Sequence, residues 1–262
     1  MTTPLMQRIS YEIDGDGPLV VCIPGMADLR STFRFTAPAL VQAGYRVAII
    51  DLRGHGDSAT DFDRYDNQGN AADVAALIEH LGGPAVIVGN SMGAAIGTIV
   101  AAEHPSLVAG LVLIGPFVRN GKASGLLKAV MRIATSPRLV GFTWKQYLPS
   151  LYRGTKPADL PDYLAAVSAG VKGHERAMSA TMQTSHDDAE AALTRVNTEV
   201  LVIMGELDPD FTSPAVEAEW IVEQIGGEVL MVPDAGHYPH AQRPDLVVPA
   251  ITAFLQKVTN HA

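Results

Sequence analysis

The chain has 262 residues, a hydrophobic content of 47% and a formal net charge of −9. That length and apolar content suffice for one sizeable core, or for a core with a small subdomain. Nucleic-acid binding would require a basic patch, and the acidic composition predicts none. The longest apolar run, "VAGLVLIGPFV", is shorter than the ~20 residues of a membrane span, so we predict no span.

Seven short apolar runs alternate with helix-like stretches, a pattern that predicts a mostly parallel α/β sheet. In chain order the runs are "RISYEID", "PLVVCIP", "YRVAIID", "PAVIVGN", "VAGLVLIGP", "TEVLVIMG" and "GEVLMVP". The "GDG" between the first two predicts a hairpin, and the later runs are continuous, as in strands buried on both faces. Helical periodicity falls at about 36–43, 68–81, 92–104, 213–225 and 244–258.

One long stretch interrupts this alternation. From residue 118 to 192 no run predicts a strand, and short helix-like segments are separated by Gly and Pro. That length is far beyond an ordinary connection between strands, and insertions of this size often cover a site. We therefore predict a core domain of residues 1–117 and 193–262 and a helical cap subdomain of residues 118–192.

The cysteine content and the first residues bear on location. Cys22 is the single cysteine and lies in "LVVCIP", which predicts a buried free thiol and fits a reducing compartment. The segment "MTTPLMQRISYEIDGD" has no apolar signal core. We expect a cytoplasmic protein, and the sequence leaves a monomer and a homodimer both open.

The stretch "IVGNSMGAAIG" places Ser91 between Gly89 and Gly93, after a β-branched run and before an Ala- and Ile-rich helix. A Gly-x-Ser-x-Gly pattern in a strand–turn–helix setting is typical of a nucleophile elbow. Glycine suits positions 89 and 93 because side chains there would collide with neighbouring backbone. We predict that Ser91 is a nucleophile, and the alternative is a serine that only caps the helix.

A serine hydroxyl needs a base to take its proton. Of the eight histidines, His237 follows the last strand, at the edge where the carboxyl ends of parallel strands meet. Asp208 follows the strand "EVLVIMG" at the same edge and would hold the histidine tautomer. His240 is the alternative base, and Asp210 and Glu206 are the alternative acids.

An attacked carbonyl becomes an oxyanion and needs donors aimed at it. The backbone N–H of Met92, at the start of the helix, and that of Met26, in the loop after "VVCIPG", are the expected donors. Gly25 would let that loop approach closely. No His, Cys or Asp spacing matches a zinc site, and the reaction needs no cofactor, so we predict neither a metal nor an organic cofactor.

Together these stretches resemble the α/β-hydrolase superfamily over nearly the whole chain, in particular its small, cap-bearing, esterase-like branch. The resemblance rests on "IPGMAD", "DLRGHGDS", "GNSMGAA", "VLVIMGELD" and "AGHYPHAQRP". It implies an α/β-hydrolase fold, a mostly parallel central sheet flanked by helices, with the helical cap inserted after the sixth strand. It also implies a nucleophile, acid and base at Ser91, Asp208 and His237, and oxyanion donors at Met26 and Met92.

Three sequence features differ from or qualify this resemblance. The family usually has His-Gly where this chain has Pro24 and Gly25, which puts the geometry of the oxyanion loop in question. The family often has Glu where Gln242 stands, a difference that we interpret as neutral. The loop "DLRGHGDS" is structural in the family, so we interpret His55 and Asp57 as architectural.

The favoured reaction is hydrolysis of a carboxylic ester, or of a lactone, of a small and largely apolar substrate through an acyl-enzyme on Ser91. The serine argues against dehalogenases and epoxide hydrolases, which resemble this fold but use Asp there. Perhydrolysis is a variant of this reaction. Three other interpretations stay open: carbon–carbon bond hydrolysis of a vinylogous diketone, a small-molecule receptor with slow turnover, and a catalytically inactive fold. We expect the pocket to include Phe117, Trp144, Tyr147, Met178, Met182 and Tyr238, unless these residues only pack the cap onto the core.

Overall fold

The computed structural model describes residues 7–121 and 124–259. Its centre is a seven-stranded sheet with the spatial order β1-β3-β2-β4-β5-β6-β7. The first strand is antiparallel to β3, and all other neighbouring pairs are parallel. The strands are β1 (Tyr11–Asp14), β2 (Leu19–Ile23), β3 (Arg46–Ile50), β4 (Ala85–Asn90), β5 (Val108–Ile114), β6 (Val200–Gly205) and β7 (Glu228–Val232). This sheet confirms the predicted mostly parallel α/β fold.

Helices cover both faces of the sheet. The helices are α1 (Thr36–Gln42), α2 (Asn67–His80), α3 (Met92–Glu103), α4 (Gly125–Ala134), α5 (Val140–Tyr147), α6 (Leu160–Gly170), α7 (Glu175–Met182), α8 (Asp187–Leu193), α9 (Pro214–Ile225), α10 (Pro239–Gln242) and α11 (Pro244–Thr259). Buried side chains of α2, α3, α8 and α9 form one apolar cluster with the strands, and those of α1 and α11 form another. Successive strand residues enter opposite clusters, Val21 the first and Cys22 the second, because side chains alternate along a strand. Cys22 is therefore a buried free thiol, as predicted.

The predicted hairpin between the first two strands is wrong. β1 pairs with β3, and β3 lies between β1 and β2. The physical reason is burial: all five residues of β2 are buried, so β2 takes a central place with parallel neighbours on both sides. β1 has no fully buried residue and lies at the edge.

The helical insertion follows β5, the fifth strand, and the expected position after the sixth strand is wrong. In the described residues, which start at 7, only one antiparallel strand, β1, precedes β2. The strand before the insertion is therefore the fifth and not the sixth. The sixth strand, β6, begins at Val200, after the insertion has ended. We refer to residues 118–192 as the inserted segment.

Most of the inserted segment has its own apolar cluster. Side chains from α5, α6 and α7, among them Trp144, Tyr163 and Met178, pack with Ala27, Tyr238 and Ala241 of the loops at the carboxyl edge of the sheet. Helix α8 instead packs with the core helices α2 and α3. The division into a core and a cap of residues 118–192 stays a prediction, and the packing of α8 favours a cap that ends before Asp187.

Across the described part of the chain, no helix is both long and apolar enough to cross a membrane.

Candidate active site

Ser91 lies in the turn between β4 and α3 with φ 54° and ψ −117°. A positive φ is unfavourable for a residue with a Cβ atom, so the surrounding structure must hold this conformation. The Ser91 N–H donates to the carbonyl of Ile114 (2.9 Å), and its own carbonyl accepts from the N–H of Phe117 (3.3 Å). The residue is 7% exposed. The strained turn predicted for an elbow is therefore present.

Gly89 and Gly93, on either side of Ser91, have backbone atoms of neighbouring residues so close that a side chain would not fit. A Cβ atom on Gly89 would lie 2.3 Å from the carbonyl oxygen of Gly93, and one on Gly93 would lie 2.2 Å from the carbonyl oxygen of Ile23. Gly25 in the neighbouring loop is less constrained, because a Cβ atom there would lie 3.1 Å from Cβ of Ser91, which is a tight contact but not a clash with backbone. Any side chain at 89 or 93 would push α3 away from the sheet.

The two expected oxyanion donors belong to Met92, which follows Ser91, and to Met26, in the loop after β2. The N–H of Met92 begins α3 and has no intrahelical partner, as the first N–H groups of a helix never do. The N–H of Met26 lies in the loop after β2, and neither amide donates to another group in the described chain. The assignment of these two N–H groups as oxyanion donors stays a prediction.

His55 holds the loop that carries Met26. The N–H of Ala27 donates to Nε2 of His55 (2.9 Å), and Nδ1 of the same ring is 2.9 Å from the carbonyl of Arg53. Burial lowers the pKa of His55 to about 4, so the ring is neutral, with Nδ1 as donor and Nε2 as acceptor. Ala27 has φ 56°, a second strained residue, and this tether holds it. The loop that follows Pro24 is therefore held by His55, although the chain lacks the His-Gly pair usual in the family.

His237 and Asp208 meet at the carboxyl edge of the sheet. Nδ1 of His237 lies 2.7 Å from Oδ2 of Asp208, and both side chains are buried. The second carboxylate oxygen of Asp208 accepts the N–H of Asp210 (3.0 Å). The contact between Nδ1 and Asp208 orients the His237 ring so that, in its neutral form, Nε2 is the acceptor. In the described structure His237 makes no hydrogen bond to the Ser91 hydroxyl, a contact that often forms only when substrate binds.

Asp210 is a second negative charge beside the same ring. Its carboxylate lies 3.6 Å from Nδ1 of His237 and accepts a hydrogen bond from the hydroxyl of Tyr147. Burial by itself lowers the pKa of His237, but Asp208 and Asp210 outweigh burial and raise that pKa to about 9. His237 is therefore largely protonated at neutral pH.

The other candidates named from the sequence lie in different surroundings. His240 is fully buried, contacts Thr32 through Nε2 (3.1 Å) and stacks near Phe33, and burial lowers its pKa to about 3. Glu206 is exposed, and its backbone N–H donates to Val232. Neither of them pairs with the Asp208–His237 unit.

Asn90 and Gln242 were not predicted as site residues, yet both position His237. The amide of Asn90 donates to the carbonyls of Ile114 (3.0 Å) and His237 (3.3 Å) and thereby links the elbow to the histidine loop. The sequence gives no signal for Asn90, because any residue can fill that position of the Gly-x-Ser-x-Gly pattern.

Gln242 joins the histidine loop to the inserted segment. Its amide donates to the carbonyls of Arg153 and Thr155 (2.7 Å each), and its oxygen accepts the N–H of Gly236 (2.9 Å). A glutamate would lose both donors, so these bonds argue against the neutral interpretation of Gln242, which stays a prediction. Three further backbone contacts join the same two segments: His237 N–H to Leu151, Thr155 N–H to Asp234, and a bridge between Gly154 and Ala235.

The six expected pocket residues fall into two groups. Phe117, Tyr147 and Met182 keep some exposure, and Phe117 and Tyr147 contact the site directly through Ser91 and Asp210. The buried ones, Trp144, Met178 and Tyr238, belong to the cluster of the inserted segment, which fits the packing alternative. A cavity of about 970 Å³ lies elsewhere, between Arg30, Arg34 and His174, and its lining includes none of the six. The pocket assignment stays a prediction.

A buried carboxyl group lies next to the oxyanion loop. Asp28 accepts hydrogen bonds from the hydroxyl of Tyr163 and from the N–H of Leu29, while its Oδ2 has no partner among the described residues. Burial raises the pKa of Asp28. Its charge is also one of those that raise the pKa of His237.

Asp208, Asp210 and His237 also offer three atoms within 4.8 Å of one another, which is close enough for metal ligands. Each of these groups already has a hydrogen-bond partner: Asp208 to His237, and Asp210 to Tyr147. A metal ion would have to break these bonds, and the donor set therefore suits proton transfer better.

Comparison with known proteins identifies the family to which the chain is similar. A family model described as "Alpha/beta hydrolase family" matches residues 20–250. A Mycobacterium tuberculosis protein named "Putative non-heme bromoperoxidase BpoC" is 31% identical over 265 residues, covering 97% of this chain and 99% of that protein. The 2-(acetamidomethylene)succinate hydrolase of Mesorhizobium japonicum is 28% identical and covers 92% of this chain and 89% of its own. A solved thermophilic esterase from Thermogutta terrifontis superimposes with a TM-score of 0.81 at 26% identity, covering 95% of this chain and 93% of that one.

Proposed function

This chain belongs to the alpha/beta hydrolase family, and from that premise we propose that it is a serine hydrolase that cleaves a carboxylic ester or lactone of a small, largely apolar substrate. The observation that carries the proposal is the combination of Ser91 on a strained elbow with the buried hydrogen bond between His237 and Asp208. The similarity to an esterase of known structure supports the same reaction class.

The proposed reaction begins with Ser91. As its oxygen attacks the ester carbonyl, Nε2 of neutral His237 takes the hydroxyl proton, and the negative charge on the carbonyl oxygen is stabilised by the N–H groups of Met26 and Met92. His237 then gives the proton to the departing alcohol. Asp208 stabilises the imidazolium in between. Water, deprotonated by the same ring, finally releases the acid from Ser91.

The inserted segment would cover this site as a cap. Its apolar cluster packs against Ala27 of the oxyanion loop and Tyr238 of the histidine loop. Phe117 and Tyr147 would then contact the apolar part of the substrate, since both have exposed surface beside the reacting groups. The buried free thiol of Cys22 fits a cytoplasmic location, which we propose for the same chain.

Labelling with a fluorophosphonate and mapping of the labelled peptide test the nucleophile, alongside a panel of nitrophenyl esters of rising acyl length. We expect label on Ser91, turnover of at least one ester, and neither in Ser91→Ala. Label on Ser91 without turnover of any ester would favour the carbon–carbon hydrolase or the slow receptor. Label at another serine would contradict the assignment of Ser91.

A second candidate reaction is perhydrolysis, which the similarity to the bromoperoxidase favours. In it, hydrogen peroxide attacks the acyl-enzyme instead of water, releasing a peroxyacid and the free Ser91 hydroxyl. The peroxyacid then transfers one oxygen atom to bromide, giving the carboxylic acid and hypobromite. Added peroxide and bromide should brominate a phenol reporter only when an acyl donor is present. Bromination that persists in Ser91→Ala would contradict this route.

A further inference from the structure

Helix α4 exposes an apolar face that nothing in the described structure covers. None of its side chains is buried. Its large apolar residues lie at the spacing of one helical face. We call this set the α4 face: Leu126, Leu127, Val130, Met131 and Ile133, with exposed fractions of 78%, 49%, 52%, 52% and 65%. Contiguous exposed apolar surface of this kind marks a site of interaction.

The opposite side of α4 is basic. Lys128 and Arg132 lie there, at 100° per residue, and the helix has no acidic residue. The surrounding sequence continues this bias: between residues 104 and 158 there is no Asp or Glu, whereas eight of the 19 Lys and Arg residues lie in that range. The prediction that the chain has no basic patch overlooked this region, because its cations are spread over many residues of an acidic protein.

Several of these cations have no ion-pair partner in the described part of the chain. Arg119 pairs with Glu217, but Lys128, Arg132, Arg138 and Lys145 form no ion pair with any residue that the structure describes. Cations left free around an exposed apolar helix favour a partner that is both apolar and negatively charged.

We propose that the α4 face docks onto the surface of an anionic lipid bilayer. The apolar residues would enter the boundary between headgroups and acyl chains, and Lys128 and Arg132 would meet the headgroups. A second copy of the chain fits less well, because it would bring two basic regions together. Nucleic acid fits less well too, because Leu126 and Ile133 offer it no contact of matching chemistry.

This surface lies one helix away from the proposed active site. The hydroxyl of Thr143, on α5, donates to the carbonyl of Ala134 at the end of α4 (2.8 Å). Tyr147 at the end of α5 bonds Asp210, which lies 3.6 Å from the His237 ring. Docking through α4 would therefore hold the site close to a bilayer in which apolar esters dissolve. The docking itself does not depend on the proposed ester hydrolysis.

Co-sedimentation with vesicles tests the proposal on the full chain. One set of vesicles is phosphatidylcholine alone, and the other contains in addition about one third of phosphatidylglycerol, a composition at which basic amphipathic helices bind by charge. We expect the protein to sediment with the anionic vesicles and to stay in solution with the neutral ones. High salt should release it, since screening weakens the contribution of the cations.

Two double variants separate the apolar and the charged contributions. We expect Leu126→Asn with Ile133→Asn, and separately Lys128→Glu with Arg132→Glu, to weaken binding by at least about tenfold. The matched controls are Val216→Asn, at an exposed position on α9, and Arg195→Glu, and they should bind as the wild type does. All variants should hydrolyse a soluble ester as the wild type does, which separates this proposal from the proposed function.

Several results would overturn the proposal. One is the absence of wild-type binding to anionic vesicles, and another is equal binding by the α4 variants and the controls. A wild-type dimer in sedimentation velocity that Leu126→Asn with Ile133→Asn dissociates, without vesicle binding, would assign the α4 face to a second copy. Binding to duplex DNA that depends on Lys128 and Arg132 alone, with no vesicle binding, would assign it to nucleic acid.

Discussion

Oδ2 of Asp208 lies 2.7 Å from Nδ1 of His237, and the two side chains are 0% and 2% exposed. A second carboxylate, Asp210, stands 3.6 Å from the same nitrogen and is less buried. The two aspartates thus differ in role although both favour the charged ring. Asp208 sets the orientation of His237, whereas Asp210 acts on it only through its charge.

This difference predicts distinct effects of Asp208→Asn and Asp210→Asn. The first should lower kcat by roughly 10⁴-fold, because an amide in that place favours the wrong tautomer. Asp210→Asn should keep most of the wild-type kcat. It should also move the rising limb of the pH profile of kcat/KM to lower pH from its midpoint near 9, since one of the charges that raise the pKa of His237 is gone. A larger loss of kcat in Asp210→Asn than in Asp208→Asn would reassign the acid.

The raised pKa also predicts that stability depends on pH. His237 has a pKa of about 9 when folded and one near 6.5 in an unfolded chain. Its protonated form therefore stabilises the fold fully below pH ~6.5, and that contribution is lost as the pH rises through about 9. Urea unfolding at pH 6 and at pH 9.5 should show a loss of roughly 3 kcal/mol in the wild type. The loss should be absent in His237→Gln, and an equal loss there would trace it to another group.

Substitution of Ser91 should separate chemistry from backbone strain. Ser91→Ala should lower kcat by at least about 10⁴-fold with little change in melting temperature, because the Cβ atom and the positive φ both remain. Ser91→Gly should be equally inactive and no less stable than Ser91→Ala, since glycine adopts this conformation without strain. A glycine variant that is clearly less stable than the alanine variant would show that the turn is not strained.

Gln242→Glu should destabilise the protein and lower its activity together. A carboxylate at 242 faces the carbonyls of Arg153 and Thr155 with no hydrogen to donate, which we expect to cost about 2–4 kcal/mol. The matched control is Gln183→Glu, where the amide makes a single bond to the Ser179 hydroxyl (3.1 Å). Chemical denaturation and kcat/KM measure both effects, and a fully stable Gln242→Glu would show that these bonds contribute little.

His55→Phe should damage the oxyanion loop without touching substrate. The N–H of Ala27 would lose its acceptor, and we expect kcat to fall by about 10²-fold because Met26 is no longer held in place. KM should change less. His80→Phe, at an exposed position on α2, is the control. An unchanged kcat in His55→Phe would mean that the loop keeps its shape without the histidine.

The sequence predicted site residues correctly placed at one sheet edge where a local motif directly follows a parallel strand. Ser91, Asp208 and His237 each follow a strand, and parallel strands end at one edge, so their convergence could be expected before any coordinates. The partners of Gln242 could not, because Arg153 and Thr155 lie 89 and 87 residues away and are bonded through carbonyls that every residue type carries. Periodicity likewise identified the apolar side of α4 but not whether another element would cover it.

The bonds between residues 151–155 and 234–237 have a mechanical consequence. Leu151 binds the N–H of His237 itself, so any movement of that part of the inserted segment would carry the proposed base with it. If His237 must stay in place, the site can open only by motion of elements that have no hydrogen bond to the loop that carries His237. Helix α4, with no buried side chain, is one such element. Any opening of the proposed site by motion of α4 would then also move the surface that we assign to lipid.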